Sequence, residues 1–159
     1  MGAGSKLRQI LAKNGLVEAM AAHSPLSAML AAEAGFDAIW ASGFELSAMY
    51  GVPDVSMVSM TQHLDMTRAI VDRSGLPVVA DIDTGFGNAI NVLYAVEQYE
   101  RAGVAAVVME DKSFPKVTSL IAGGRQDMVR IDLADGNSSA LITIPDNDNF
   151  KYVVMPMRI

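Results

Sequence analysis

Two carboxylates stand one residue apart at the end of an apolar run. Asp81 and Asp83 follow GLPVVA in the stretch DIDTGFGN, and Glu110 closes another apolar run, AAVVME. If the strand continues through both aspartates, the spacing i, i+2 points their side chains to the same face. For an isolated Asp-x-Asp, a helix cap and a turn are the simpler explanation, and Glu110 is the residue that favours a shared cation.

Three converging carboxylates without a basic partner repel one another, which raises their pKa values unless a cation lies among them. The chain has no cysteine and only two histidines, so the ligands would be oxygens. Oxygen ligands suit Mg²⁺, with Mn²⁺ as the alternative, better than they suit zinc. The sequence therefore predicts a divalent-metal site at Asp81, Asp83 and Glu110.

The glycines that follow the aspartates have two interpretations. Gly85 and Gly87 follow a strand and precede a helix, as in a dinucleotide-binding fingerprint, but Ile90 stands where the third glycine belongs. The acids also precede the glycines. A tight turn beside a bound ligand is the favoured interpretation, because glycine tolerates such a turn.

Short apolar runs alternate with longer segments of helical period, which indicates an α/β fold with a parallel sheet. Strands are predicted over residues 17–22, 37–42, 77–82 and 105–110. Helices are predicted over residues 25–34, 61–72 and 89–102, with Ser24 as a cap and Gly35, Gly75 and Gly103 as stops. An amphipathic helix is predicted at the N-terminus.

In parallel sheets, functional groups gather beyond the carboxyl ends of the strands. Ser42, Gly43 and Phe44 follow the second strand as a turn whose backbone N–H groups and hydroxyl suit a carboxylate or an oxyanion. Trp40, within that strand, is by default a core or barrel-lining residue. Asp54 lies in the loop that follows, so it is expected at the same mouth as the metal site.

The segment EDKSFPKVTSLIAGGRQD is a long polar loop with two lysines, a proline and paired glycines. Loops of this length within compact domains are often lids, although an irregular surface connection is the alternative. His23 and His63 are expected to be structural, because neither has a recognisable acid or nucleophile partner in the sequence.

Composition excludes several classes of protein. The net charge is −6 and there is no basic run, so nucleic acid is an unexpected partner. No segment has the length and apolarity of a membrane span or the apolar core of a signal peptide. Without cysteine, a thiol nucleophile is excluded and a reducing compartment is permitted. The expectation is a cytoplasmic protein.

The 159 residues suit one domain, but a closed eight-stranded barrel usually takes about 250 residues. Beyond residue 131 the chain is rich in Asp, Asn and Ser, and its periodicity is poor. We predict barrel units over residues 1–131 and a divergent tail over 132–159, with a fifth strand at 151–155. Either the sheet stays open or the chain is a fragment.

Four motifs in this order resemble those of the phosphoenolpyruvate mutase and isocitrate lyase superfamily, in its phosphonopyruvate hydrolase and mutase branch. The match runs from about Leu7 to Ile131, and the four motifs read IWASGFELSA, GVPD, DIDTGFGN and EDKSFPKVTSL. The resemblance implies an incomplete TIM-type (β/α)8 barrel, a homo-oligomer, and a small α-oxo acid bound with Mg²⁺.

By that resemblance, Asp81 would touch Mg²⁺ directly, while Asp83 and Glu110 would hold its waters. The implied substrate-binding residues are Trp40, Ser42, Gly43 and Phe44, and the last three of them would receive the carboxylate and oxo group.

The resemblance also implies the reacting groups. Asp54 would lie beside the phosphorus, as a nucleophile or as the group that orients one, and Lys116 would close over the site with the lid. Mutases have Asn where this chain has Thr118, which favours hydrolysis of phosphonopyruvate to pyruvate and phosphate. A mutase-like isomerase is the alternative.

The tail departs from the family pattern. A family arginine at the end of the fifth strand corresponds to Met155 here, Arg158 is three residues too late, and Pro156 suits a central strand badly. A catalytically silent fragment that pairs with a full-length relative is therefore a second hypothesis. A lyase of the wider superfamily is less favoured, because its typical KRCG loop with a catalytic cysteine is absent.

Overall fold

Parallel strands and intervening helices alternate along the chain, as the sequence predicts. The structure is a computed structural model, which describes residues 2–110 and 112–118 and the backbone of 151–155. The elements are α1 (Ala3–Asn14), β1 (Ala19–Ala22), α2 (Pro25–Glu33), β2 (Ala38–Ala41), α3 (Gly43–Met49), α4 (Met60–Ser74), β3 (Val78–Asp81), α5 (Ala89–Arg101), β4 (Ala106–Glu110) and β5 (Lys151–Met155).

Capping side chains define where three of the helices begin. Ser24, Ser59 and Asn88 each accept a hydrogen bond from the backbone N–H three residues on, and the side chain there bonds back to the backbone of the cap. These reciprocal bonds satisfy N–H groups that have no partner within the helix. Gly75 closes α4 in the left-handed conformation, with φ 67°, which glycine adopts without a steric penalty.

The sheet has the strand order β1-β2-β3-β4-β5, and every neighbouring pair is parallel. In β2 and β4, buried residues lie on both faces of the sheet, as the nearly continuous apolar runs predict. The core between sheet and helices includes Ile39, Val78, Ala80, Val107 and Tyr99. Successive parallel βα units in sequence order are the architecture of a TIM-type barrel, of which this chain forms four or five units.

One element was not predicted. Ser42, Gly43 and Phe44 do not form an exposed turn but the start of α3, with Ser42 as its cap. The Ser42 hydroxyl accepts a hydrogen bond from the N–H of Glu45 at 3.2 Å. The expectation of a turn is wrong, because the Ser42 hydroxyl caps the free backbone N–H of Glu45 and so starts a helix at Gly43.

Two expectations about the tail fall partly outside this description. Strand β5 occupies residues 151–155, and Met155 is its last residue. The boundary at residue 131, together with Pro156 and Arg158, lies outside the described residues. Among the helices that the structure describes, none has the length and apolarity needed to cross a bilayer.

Candidate active site

The end of β3 positions the two aspartates, although not as an extended strand. The strand ends at Asp81, and Asp83 has a left-handed backbone with φ 52°. The premise that both extend one strand is therefore wrong, because the backbone turns between them. The N–H of Asp83 donates to Asp81 Oδ1 at 3.2 Å, and the N–H of Glu110 donates to the Asp83 carbonyl at 2.7 Å. These bonds tie the ends of β3 and β4 together.

Gly43 leaves room for these carboxylates. Its N–H donates to Asp81 Oδ2 at 3.3 Å. A Cβ at this position would lie 3.0 Å from Asp83 Oδ1 and 3.3 Å from Asp81 Oδ2, closer than most Cβ contacts. The start of α3 therefore approaches the acids through backbone alone, and it brings the positive end of the helix to them.

A lysine ammonium lies among the carboxylates. Lys116 Nζ is 2.9 Å from Asp54 Oδ2, 2.5 Å from Asp83 Oδ1 and 3.6 Å from Glu110 Oε1. Its side chain is 2% exposed, and its backbone N–H donates to Ser56 Oγ at 3.2 Å. We call Asp54, Asp81, Asp83 and Glu110 the acid cluster. The structure thus brings together the predicted lid lysine and the predicted acids.

Burial and mutual repulsion perturb the acids. Burial, and then the negative charge of Asp83, raise the pKa of Asp81 to about 6. Burial also raises the pKa of Asp83, against the opposing effect of Lys116. For Lys116, burial alone would lower the pKa, but the charge of Asp83 and the contacts with Asp83 and Asp54 raise it. The lysine therefore stays charged and acts as the counterion of the cluster.

The donor set fits a hard divalent cation. The acid cluster carries four negative charges when ionised, and Lys112 and Lys116 supply two positive charges, which leaves two negative charges to balance. Asp54 Oδ1 is buried without a hydrogen-bond partner among the described residues. In that same part of the chain, however, no three acidic or histidine side chains already surround one point as metal ligands. Binding would therefore require the lysine or the acids to shift.

Of the predicted substrate-binding residues, Gly43 contacts the acid cluster directly. Ser42 and Gly43 are buried, and their hydroxyl and N–H are engaged within the chain, by Glu45 and Asp81. Phe44 is 47% exposed in the first turn of α3. Trp40 lies within β2 and is partly buried. Thr118 is partly buried two residues beyond the lysine, at the end of the described loop.

Neither histidine joins the acid cluster. His63 Nδ1 lies 2.6 Å from the Tyr99 hydroxyl in the core, and burial, with a smaller effect of Lys116, lowers its pKa to about 4. His23 Nδ1 lies 3.2 Å from Glu45 Oε2, an acid partner that the sequence did not reveal. Sequence reasoning also missed Lys112, whose Nζ is 2.9 Å from Glu110 Oε2. The only signal for it in the sequence is that the lid segment has a lysine besides Lys116.

The comparison with protein families agrees with this geometry. Residues 7–154 match the family model described as phosphoenolpyruvate phosphomutase. The chain belongs to the phosphoenolpyruvate phosphomutase family. Within it, the chain is 58% identical over 134 residues to phosphonopyruvate hydrolase of Variovorax sp. (strain Pal2), a match that covers 84% of this chain and 46% of that relative.

Solved structures related to this family share the fold. A phosphoenolpyruvate phosphomutase from Streptomyces platensis subsp. rosaceus superposes with a TM-score of 0.77 at 49% identity, over 82% of this chain and 45% of that one. Phosphonopyruvate hydrolase in complex with oxalate and Mg²⁺ superposes with a TM-score of 0.72 at 55% identity, over 82% and 44%. The chain spans about half the length of the curated relatives it matches.

Proposed function

We propose that the chain carries the acid-rich part of an active site that hydrolyses phosphonopyruvate to pyruvate and phosphate with Mg²⁺. The observation that carries this proposal is the convergence of Asp54, Asp83 and Glu110 on the Lys116 ammonium at the carboxyl ends of the strands. The 58% identity to a phosphonopyruvate hydrolase, and the similarity to a structure that holds Mg²⁺ and oxalate, support it.

The acid cluster would divide into a metal-binding and a phosphorus-facing part. Asp81, Asp83 and Glu110 would hold Mg²⁺, with Mn²⁺ as the alternative, because these carboxylates lie at or just beyond the carboxyl ends of β3 and β4. The cation would supply positive charge for the enolate that forms when the P–C bond breaks. Asp54 would act on the phosphorus side. Its Oδ1 has no hydrogen-bond partner among the described residues, so it could act as a nucleophile or orient one.

The reaction itself needs positioning more than acid–base chemistry. The P–C bond breaks with its electron pair retained by carbon, water supplies the new P–O bond, and the enolate carbon takes up a proton to give pyruvate. The phosphoryl group passes through a loose transition state, so aligned charges matter most. Lys116 would offset the negative charge of the phosphoryl group. The oxo acid would be bound by Trp40, Ser42, Gly43 and Phe44.

A mutase-like isomerase is the second candidate, because the phosphoenolpyruvate phosphomutase superposes well on this chain. The hydrolase is preferred because of one residue, Thr118. Its hydroxyl would favour transfer of the phosphoryl group to water over its return to an oxygen of the substrate. A catalytically silent chain that associates with a full-length relative is the third outcome. A homo-oligomer and a cytoplasmic location remain part of the proposal.

Phosphorus NMR of the purified chain with phosphonopyruvate and Mg²⁺ separates these candidates in one experiment. Inorganic phosphate, abolished by EDTA and by Asp54→Asn, supports the hydrolase, and phosphoenolpyruvate supports the isomerase. Thr118→Asn should shift product towards phosphoenolpyruvate, with Lys13→Met on the exposed face of α1 as the control. If neither product forms at any Mg²⁺ concentration, the proposal of an active chain is wrong.

A further inference from the structure

Lys112 is a second buried lysine at the edge of the acid cluster, and nothing in the proposed chemistry uses it. It is 4% exposed, and its Nζ lies 2.9 Å from Glu110 Oε2. That oxygen is itself buried and has no aligned hydrogen-bond donor among the described residues. The ammonium is therefore the group that compensates the charge of Oε2 in a site where an uncompensated carboxylate oxygen would be costly.

The two oxygens of Glu110 face different cations. Oε2 contacts Lys112, whereas Oε1 faces Lys116 across 3.6 Å. The Glu110 backbone is fixed by its N–H bond of 2.7 Å to the Asp83 carbonyl. With the backbone and one carboxylate oxygen both held, the side chain keeps its other oxygen directed into the acid cluster.

We propose that Lys112 is a positioning residue that holds Glu110 so that Oε1 serves the metal. This inference rests on the proposed function, because it concerns the cation that this function requires. A partner that orients a ligand of a metal ion typically contributes 10- to 100-fold to metal affinity. Lys112 would do so even though its positive charge, taken alone, opposes binding of a cation.

The opposition between charge and position makes the test decisive. Lys112→Met keeps the length of the side chain and removes the charge. If Lys112 acted through charge alone, the variant would bind Mg²⁺ more tightly than the wild type does. If Lys112 positions Glu110, Mg²⁺ binding measured by titration calorimetry should weaken about 10-fold or more. Lys112→Arg should recover part of this loss, and the exposed-surface change Lys13→Met should change nothing.

A double-mutant cycle keeps the inference testable if Lys112→Met alone folds poorly. In the Glu110→Gln background the buried charge pair no longer exists, so adding Lys112→Met should alter Mg²⁺ affinity by less than about twofold. A loss of about 10-fold or more in that background would overturn the positioning role, as would tighter binding by the single variant.

The same titration separates this inference from the proposed function. Mg²⁺ binding that weakens in Lys112→Met, in a chain that turns over no phosphonopyruvate, would support the positioning role while the proposed reaction fails. Phosphate release by the wild-type chain, with the same Mg²⁺ affinity in Lys112→Met, would support the proposed reaction and overturn the positioning role. A wild-type chain that binds no Mg²⁺ would overturn the positioning role outright.

Discussion

Replacement of Lys116 by methionine removes an ammonium that contacts Asp54, Asp83 and Glu110 together. Methionine preserves most of the apolar stem, so packing changes little and the charge is what is lost. Without a metal ion, the carboxylates would then face one another in a buried site. The folded state should therefore lose stability at neutral pH, although this lysine is proposed to serve the reaction.

The size of the effect follows from burial. The lysine side chain is 2% exposed and that of Asp83 is 8% exposed. Removal of one partner from such a buried ion pair costs about 3–5 kcal/mol, because the remaining charge is left uncompensated. For a chain of this length, about 2–4 °C of Tm is lost per kcal/mol, so we expect Tm to fall by roughly 6–20 °C.

The assay is thermal unfolding at pH 7.5 in EDTA, followed by circular dichroism, with Lys13→Met as a matched control. Mg²⁺ should then restore the variant more than it stabilises the wild type, because the cation no longer competes with an ammonium. At about 100 times its Kd, a ligand adds roughly 2.7 kcal/mol to the native state. A Tm loss below about 2 °C, or no greater response to Mg²⁺, would refute the view that this lysine neutralises the cluster.

Three further changes test the surroundings of the lysine. Folding raises the pKa of Asp81 from 3.8 to about 6, so ionised Asp81 destabilises the metal-free fold above pH 6. Asp81→Asn should therefore have a free energy of unfolding in urea up to about 3 kcal/mol higher than that of the wild type at pH 7.5. This advantage should disappear below pH 4, where Asp81 is protonated in both the folded and the unfolded state. An equal difference at both pH values would contradict this sign. Gly85→Ala should lower the free energy of unfolding by about 2–4 kcal/mol in the same assay, because φ is +83° and the new Cβ would lie 2.4 Å from Val92 Cγ2. Gly75→Ala is the control: φ is +67°, but no atom lies within 4 Å of the new Cβ, so the cost should be about 1 kcal/mol. Gly43→Ala should weaken Mg²⁺ binding about 10-fold in calorimetry without lowering Tm, because alanine favours the helix start but crowds the acids; a parallel loss of Tm would indicate general misfolding instead.

Much of the fold could be predicted because burial leaves a direct signal in the sequence. Strands β1 to β4 are short apolar runs that end where polar residues begin, and the predicted ranges exceed the observed ones by one or two residues at the ends. Helix α3 was missed because seven residues are too few for a clear helical period. Its cap, Ser42 with Glu45 three residues on, was nevertheless present in the sequence.

The site was predictable in part. Asp81 and Glu110 could be placed because strand ends meet at one edge of a parallel sheet, and Lys116 was placed only by resemblance to a family. The left-handed conformation of Asp83 could not be foreseen, because φ 52° at a residue other than glycine depends on tertiary contacts. The role of Lys112 depends on the path of a loop, which neither composition nor periodicity encodes.

The counterions of the acid cluster link its folding to its proposed chemistry. Carboxylates in a desolvated mouth must be neutralised in every state of the protein, with or without a metal ion. Lys116 does this from within the chain, but from a position where it competes with a cation, whereas Lys112 pairs with Oε2 of Glu110, the oxygen that does not face Lys116. Loss of Lys116 should therefore destabilise the fold and tighten Mg²⁺ binding, whereas loss of Lys112 should weaken Mg²⁺ binding. Two lysines four residues apart in one loop would then have opposite effects on the same metal ion, which no argument from net charge alone predicts.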